Sequence, residues 1–382
     1  MRIAHVKSLY DDIGGIESLL ETVLPVQQEM DGVEPLIILI ADKRHPEIER
    51  RLTSDGRVPM EVLKWRGLKS APLAAHQMAR LLDRCKADVV HTHDMRANLL
   101  AAMARPFNRR PWLCQIHGWL GTTHSGIHAV YETIDRRLVR YADHVLVGSH
   151  AARAEVQAAG ARRTSVAWNA VALPDIAAAD RASLGLPETV VVFTMLGRVH
   201  RGKGQDLFLE ALAGLAMDQP WHGVVVGSGK PEDEAALRER VDRLGLSERV
   251  TLTGFVPRTA PWIAASDVIV VPSRKESLPL TCLEGMAAGR AVIVSATGDM
   301  PRVVTDGVSG RVIPVGDAGA LSAAMADLLA DAAKRRRFGA AARARIEQHH
   351  TAAALATAMA ETAGALVSGS AARQDHRQPS RP

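Results

Sequence analysis

Cysteine is scarce. The 382 residues contain three, Cys85, Cys114 and Cys282, far apart and with no CxxC pair. That argues against a disulfide framework and a thiolate zinc site, and it fits a reducing compartment. Aromatics make up only 4% of the chain, without the interleaved stacking residues that single-stranded nucleic-acid binders use, so no nucleic-acid partner is expected. No apolar run approaches the ~20 residues of a membrane span. The opening MRIAHVKSLYDD turns acidic after a short strand-like run, unlike a secretory leader, and the expected location is cytoplasmic. Three nucleotide-site signatures are missing as well: GxGxxG, GxxxxGK[ST] and DxD. Asp11–Asp12 alone does not make a metal site.

What is present is ordinary globular composition, long enough for two domains. The net charge of +5 and pI of about 9.3 are mildly basic, which suits anionic small molecules or an anionic membrane face. Short β-branched runs alternate with amphipathic stretches from end to end. The first half has RIAHVKSL, EPLIILIA, VPMEVLKW, ADVVHTH, PWLCQIHG, DHVLVGS and TSVAWNAV. The second has VVVFTMLGR, WHGVVVGSG, RVTLTGF, VIVVPS, AVIVSAT and SGRVIPV. This alternation predicts βαβ units and parallel sheets. Between the halves, 173–189 carries two prolines and a glycine and no strand run, and reads as a linker. The expected fold class is α/β, with two Rossmann-like doubly wound domains facing across a cleft. The boundaries are 1–172, linker 173–189, 190–350, a C-terminal helix over 351–368 crossing back to the first domain, and a disordered tail over 369–382.

Ligands of such sheets bind beyond the carboxyl ends of the strands, so four loops draw attention. In YDDIGGIESLL, Gly14 and Gly15 stand where a helix begins, and its amides favour an anion. In GRVHRGKGQDLF, Arg198 ends a strand and Lys203 opens the next helix, with Gly197, Gly202 and Gly204 around them. Two cations at a Gly-rich turn suit a diphosphate. In RKESLPLTCLEGM, Leu278 or Pro279 is expected as the first helical residue, with free amides near Leu280 and Thr281. Glu284, a turn into the helix, can accept two hydrogen bonds from a vicinal diol such as a ribose. Glu276 lies in the loop and reaches a different part of the ligand. In QIHGWLG, His117 follows a strand and precedes Gly118, where it suits substrate contact or a structural role. His91 and His93 share a face, but no nearby Cys or further His completes a metal site, and they read as structural.

Together, ESLPLTCLE followed by GMAAGRAVI, the Arg198–Lys203 pair and Gly14–Gly15 resemble the retaining glycosyltransferases of family 4, with the two-domain GT-B fold. The resemblance spans essentially the whole chain. It implies that Glu276 contacts the donor sugar, that Glu284 holds the ribose, and that the amides at Leu280 and Thr281 meet the diphosphate, with Ser277 in the same donor-binding set. It implies that Arg198 and Lys203 neutralise that diphosphate, that His117 lies near the transferred sugar, and that Gly15 approaches the phosphate. Val256, in GFVP, reads the base. The pattern Gly-Gly-x-x-Glu is replaced here by GDMPR, with Asp299 and Arg302 in the variant positions, in a loop expected to be peripheral to transfer. NAVA replaces an NGVD-like turn.

The reaction so implied moves a sugar from a UDP- or GDP-sugar to a hydroxyl of a glycan or lipid-linked acceptor, in cell-envelope or exopolysaccharide synthesis. Configuration is retained and the donor phosphate takes the acceptor proton. No cofactor or metal is required. A glycosidase pair of glutamates is disfavoured, because a glycosidase has no diphosphate to neutralise. A nucleotide-sugar epimerase on the same fold and a non-catalytic nucleotide-sugar binder are the rival readings. WRGLK (65–69) and RPFNRRPW (105–112), basic with embedded aromatics, suggest peripheral contact with an anionic membrane at its inner face, with Arg109 and Arg110 as the test positions.

Overall fold

The computed structural model describes residues 1–9, 15–43, 45–53, 56–65, 67–119, 127–174 and 180–375. The chain divides into two compact units, Met1–Ala170 with Ala352–Pro382, and Val171–Thr351.

Unit 1 carries a seven-stranded parallel sheet in the order β3-β2-β1-β4-β5-β6-β7. The strands are β1 (Arg2–Ser8), β2 (Glu34–Ala41), β3 (Met60–Lys64), β4 (Val89–Thr92), β5 (Trp112–Ile116), β6 (His144–Val147) and β7 (Thr164–Val166). Each matches one of the β-branched runs. Side chains alternate across a strand, and both faces are covered. Ala4 and Val6 of β1 belong to one apolar cluster with Met78, Leu82 and Leu100. Ile3 belongs to another, with Leu19, Val23, Leu355, Met359 and Ala363.

That second cluster draws the helix Ala352–Asp375 into unit 1, against the helix Gly15–Glu29. Helical backbone persists to Asp375, so the tail boundary at 369 is too early. No proline occurs between Ala352 and Pro379, and Gly364 and Gly369 are accommodated within the helix. Residues 376–382 lie outside the described ones. The helical stretch Ala332–Ser370 also contains an 18-residue window with mean hydropathy 1.2, a longer apolar run than the sequence pattern suggests. Part of its apolar surface is accounted for by the unit 1 core.

Unit 2 has a six-stranded parallel sheet in the order β10-β9-β8-β11-β12-β13. Its strands are β8 (Val191–Leu196), β9 (Trp221–Val226), β10 (Val250–Leu252), β11 (Val268–Val271), β12 (Ala291–Ser295) and β13 (Arg311–Ile313). Its strand order reverses between β8 and β11, and that of unit 1 between β1 and β4. These are the switch points where doubly wound sheets open a ligand crevice.

The linker boundary also moves. Arg181 donates to the carbonyls of Ala265 and Val190 at 2.9 Å each and pairs with Asp267 at 2.8 Å. Asp267 in turn accepts from the Val192 amide at 2.8 Å. One guanidinium thus pins 180–189 onto β8 and β11, and this half of the expected linker is part of unit 2. Of the other half, 175–179 lie outside the described residues.

Candidate functional site

The loop after β8 turns at Gly197, with φ +141. The His200 ring then accepts from the Gly202 amide at 3.0 Å and starts a 3-10 turn, Arg201–Lys203. Gly204 follows with φ +85, and a Cβ there would stand 2.3 Å from the Pro272 carbonyl oxygen. Only glycine lets the loop after β8 touch the loop after β11 backbone to backbone. The left-handed residue also interrupts helical bonding. Lys203 therefore ends the 3-10 turn instead of opening a helix, and the next helix is Gln205–Ala213.

Lys203 Nζ is ion-paired with Glu276 Oε1, and Ser273 Oγ lies 3.4 Å from the same oxygen. The expected diphosphate cation and the expected sugar-contacting carboxylate thus neutralise each other. Arg198 is different: its side chain is exposed and has no partner among the described residues. Its backbone is held, since Gln205 Nε2 donates to its carbonyl at 2.9 Å.

Arg274 braces the two loops, and sequence reasoning passed over it. It grips Asp206 with two bonds of 2.7 and 2.8 Å and donates to the Arg201 carbonyl at 2.8 Å. Its amide donates to the Gly202 carbonyl at 2.8 Å. Burial pushes the Asp206 carboxyl up, but the hydrogen bonds and charge of Arg274 outweigh it and hold the group below the usual range.

A third loop closes in from β12. Gly298 has φ +56, and a Cβ there would lie 2.3 Å from the carbonyl oxygens of both Glu276 and Ser277. The Asp299 amide donates to the Ser277 carbonyl at 2.8 Å. The GDMPR loop, expected to be peripheral to transfer, thus packs directly on the backbone of Glu276 and Ser277. It sets the backbone of Glu276.

The helix Leu280–Ala287 begins one or two residues later than the pattern implied. Pro279, with ψ 135, is the cap residue and Leu280 the first helical one. No side chain caps this start, so the first-turn amides at Leu280 and Thr281 retain an anion-binding disposition. Glu284, one turn in, is half-buried, with no hydrogen bond or ion pair to its carboxylate among the described residues. Burial pushes it above the usual carboxylate range. Val256 is half-buried beyond β10. Its turn is laced to the others: the Gly227 amide donates to the Gly254 carbonyl at 3.0 Å, and a Cβ on Gly227 would sit 2.2 Å from the Gly197 carbonyl oxygen.

In unit 1, Gly15 is the first residue of the helix Gly15–Glu29. Gly14, Asp11 and Asp12 lie outside the described residues. His117 leaves β5, and Gly118 takes φ +122. The loop is then anchored by Trp119, whose Nε1 donates to Asp135 Oδ2 at 2.8 Å, while Asn98 Nδ2 donates to Asp135 Oδ1 at 2.7 Å. Burial, and then the Lys7 charge, lower the His117 pKa to about 4. The ring is neutral near pH 7, and its Nε2 has no partner among the described residues. Sequence offers no cue to this anchor, because Asn98, Trp119 and Asp135 come from three separate segments.

Two family models match successive parts of the chain. Glycosyltransferase Family 4 matches residues 13–173 and Glycosyl transferases group 1 matches residues 177–345. The chain belongs to glycosyltransferase family 4. It is 36% identical over 164 residues to the lipopolysaccharide core biosynthesis mannosyltransferase LpcC of Rhizobium leguminosarum bv. viciae, covering 42% of this chain and 46% of that protein. It is also 36% identical over 168 residues to a D-inositol 3-phosphate glycosyltransferase of Xylanimonas cellulosilytica, covering 43% of this chain and 40% of that protein. The matches thus span less than half the length of either relative. The GT-B fold extends across the chain. Anabaena Alr3699/HepE, solved with UDP and glucose, superposes with a TM-score of 0.81 at 21% identity, covering 96% of this chain and all of that one.

Two expectations about this family 4 chain change. First, His91 and His93 do have a further histidine beside them. His5 pairs with His91 across the β1–β4 ladder, and the three rings form one buried group. The signal was available in the alternation of β1, where His5 shares a face with Ile3. Second, the basic stretches are less free than they look. Trp65 and Trp112 are buried. Arg105 pairs with Asp143, and Arg110 is tied to Asp83 and the Ala87 carbonyl. Arg66 lies outside the described residues. Arg109 remains without a side-chain partner among the described residues, as do Arg140, Arg162 and Arg163. These four line a cavity of about 860 Å³ where β5, β6 and β7 begin.

Proposed function

We propose that this chain transfers a sugar from a nucleoside-diphosphate sugar, UDP- or GDP-linked, to a hydroxyl of a glycan or lipid-linked acceptor, with retention of configuration. One observation carries the reading. The loops after β8, β11 and β12 gather an exposed unpaired arginine, a lysine–glutamate pair and an uncapped helix start around one edge of unit 2.

As the bond to the anomeric carbon breaks, negative charge grows on the leaving diphosphate. Arg198 and the amides at Leu280 and Thr281 oppose that charge. Lys203 joins them by shifting from Glu276 to phosphate, which frees the Glu276 carboxylate for the sugar hydroxyls. The acceptor hydroxyl adds to the anomeric carbon on the face the diphosphate leaves, and its proton passes to the departing phosphate oxygen. Glu284 accepts from the ribose diol, which replaces its lost solvation. Neutral His117 is the unit 1 group assigned to hydrogen-bond the sugar, and Val256 to meet the base. No metal is needed in this scheme, because the cations already balance the diphosphate. The relatives named for lipopolysaccharide core biosynthesis support a cell-envelope acceptor, at the cytoplasmic side of the membrane. The cavity lined by Arg109, Arg140, Arg162 and Arg163 supports peripheral contact there with anionic headgroups.

A thermal-shift screen of nucleotide sugars fixes base and sugar together, followed by nucleotide release with and without acceptor. Stabilisation by one donor and acceptor-dependent release are expected. No turnover with any donor would leave a binding protein, and C2 inversion without transfer would make it the epimerase. Glu284→Ala should weaken nucleotide binding itself. For the membrane, Arg109→Glu with Arg163→Glu should abolish co-sedimentation with phosphatidylglycerol vesicles, and unchanged sedimentation would sink that contact.

A further inference from the structure

The face of the unit 1 sheet that carries Ile3 also carries His5, His91, His93 and, on β5, Gln115 and then His117. Apolar residues should fill such positions. Instead His5, His91 and His93 are all buried to 1% exposure or less. One ligand nitrogen from each lies within 4.8 Å of those from the other two. Their ring centroids are 4.3 to 5.2 Å apart.

Hydrogen bonding accounts for them only in part. The three rings have six nitrogens, and neutral imidazole has one N–H donor each. His5 Nδ1 and His93 Nε2 contact each other at 2.9 Å. The remaining four nitrogens, His5 Nε2, both of His91 and His93 Nδ1, have no partner among the described residues. Two buried N–H donors thus remain, with only the amide oxygens of Gln27, beside His5, and Gln115, beside His91, to answer them, and the inner nitrogens that face one another stay unanswered. Neither of these Oε1 atoms makes a hydrogen bond of good geometry.

We infer that His5, His91 and His93 bind one divalent transition-metal ion, of the class that prefers imidazole nitrogen, such as Zn²⁺ or Co²⁺. Three nitrogen donors without carboxylate select such ions over Mg²⁺ or Ca²⁺. Neutral imidazole is the ligand form, and burial lowers all three pKa values, His5 to about 4. Gln27 and Gln115 are placed to accept the outer N–H of the ligand rings, which fixes their tautomers. The Lys7 charge opposes a cation at His93, but that charge is itself compensated. Buried Lys7 is met by Glu17 at 2.8 Å and Asp94 at 3.6 Å, two carboxylates against one ammonium. The ion is distinct from any counter-ion of the diphosphate, whose cations belong to unit 2. His93 stacks on His117 at 6.2 Å, so the ion also fixes the rings behind His117.

The test uses the full chain with any affinity tag removed, stripped with chelator, loaded with Zn²⁺ or Co²⁺ and desalted. Elemental analysis should find about one ion per chain. The Co²⁺ form should show the visible ligand-field bands of a nitrogen-ligated tetrahedral ion. His5→Gln and His91→Gln should each lose the ion. Because these substitutions are buried, folding of each variant is checked by circular dichroism, and the wild-type Co²⁺ spectrum stands as evidence on its own. A wild-type chain that retains no stoichiometric ion and shows no Co²⁺ bands would overturn the inference. So would variants that keep the ion in full.

Discussion

The two sheets share one strand order over six strands, β7 being extra in unit 1, but furnish their carboxyl edges in opposite ways. In unit 2 the edge is built from backbone. Gly197, Gly204, Gly227 and Gly298 let loops approach so closely that a single Cβ at Gly204, Gly227 or Gly298 would strike a carbonyl oxygen, and the charged side chains stand on that framework. In unit 1 the edge is built from side chains, with imidazoles and amides filling space that apolar residues usually occupy. The contrast teaches what each edge is suited to. Amides, glycine turns and cations suit an anionic ligand of extended shape. A buried group of neutral rings suits a small cation or a fixed hydrogen-bond array, and it is vulnerable to acid.

The largest expected effect tests the unit 2 framework. Glu276→Ala should lower turnover by about 10²–10³-fold, the scale for losing one stabilising group at a developing charge. Nucleotide affinity should hold or tighten, because Lys203 is released to phosphate. Initial rates and calorimetric titration with UDP and GDP check this. If both fall together, Glu276 and Glu284 do not have separate roles.

The next tests the unit 1 edge. The pKa values of His5 and His117 fall to about 4 from 6.5, so the unfolded chain binds the extra protons. Their contribution is complete above pH 6.5 and is lost as pH falls towards 4, at most about 3 kcal/mol per ring. His91 and His93 shift the same way. Asp135, raised to about 6 by burial, opposes them, since its carboxylate becomes more costly as pH rises. One carboxyl against four rings leaves acid lability as the net result. Hydrogen exchange of the metal-stripped chain at pH 7 and pH 5 should show β1, β4 and β5 loosening more than β8 and β11. Equal acceleration would erase the distinction between the edges.

Gly298→Ala should destabilise unit 2 by about 1–3 kcal/mol and lower turnover through the displaced Glu276 backbone, as read by thermal melting and rates. Normal rates would return the GDMPR loop to the periphery. Smallest is Arg274→Lys, which keeps the charge but loses the two-pronged grip on Asp206. A loss of about 1 kcal/mol is expected, with a modest rise in the KM for donor.

Much of the fold was legible in the sequence. All thirteen strands coincide with β-branched runs, because a strand covered on both faces has little freedom in composition. Arg198, Lys203 and Glu276 stood out as candidates because they sit in loops that follow strands, and Glu284 because it lies a turn into the helix after one. The rest was not, for reasons of distance along the chain. Arg274 and Asp206 are 68 residues apart, and nothing local marks their pairing. Gly298 looked like a family variation, since its importance lies in the carbonyls it faces. His5 sits 86 residues before His91, and only their register makes them neighbours. Helix starts slipped by a residue or so at Pro279 and Gly204, where ψ and a positive φ decide the cap.

The sequence by itself determined the elements, their alternation and the residue types available to each loop, because hydrophobic periodicity and turn chemistry act over a few residues. Only the tertiary structure decided which charges are free and which are spent. Lys203 meets Glu276, Arg110 meets Asp83, Arg198 is left open, and three histidines from two strands meet in one buried place. Those outcomes depend on register and on backbone approach at glycines, which no short stretch of sequence contains.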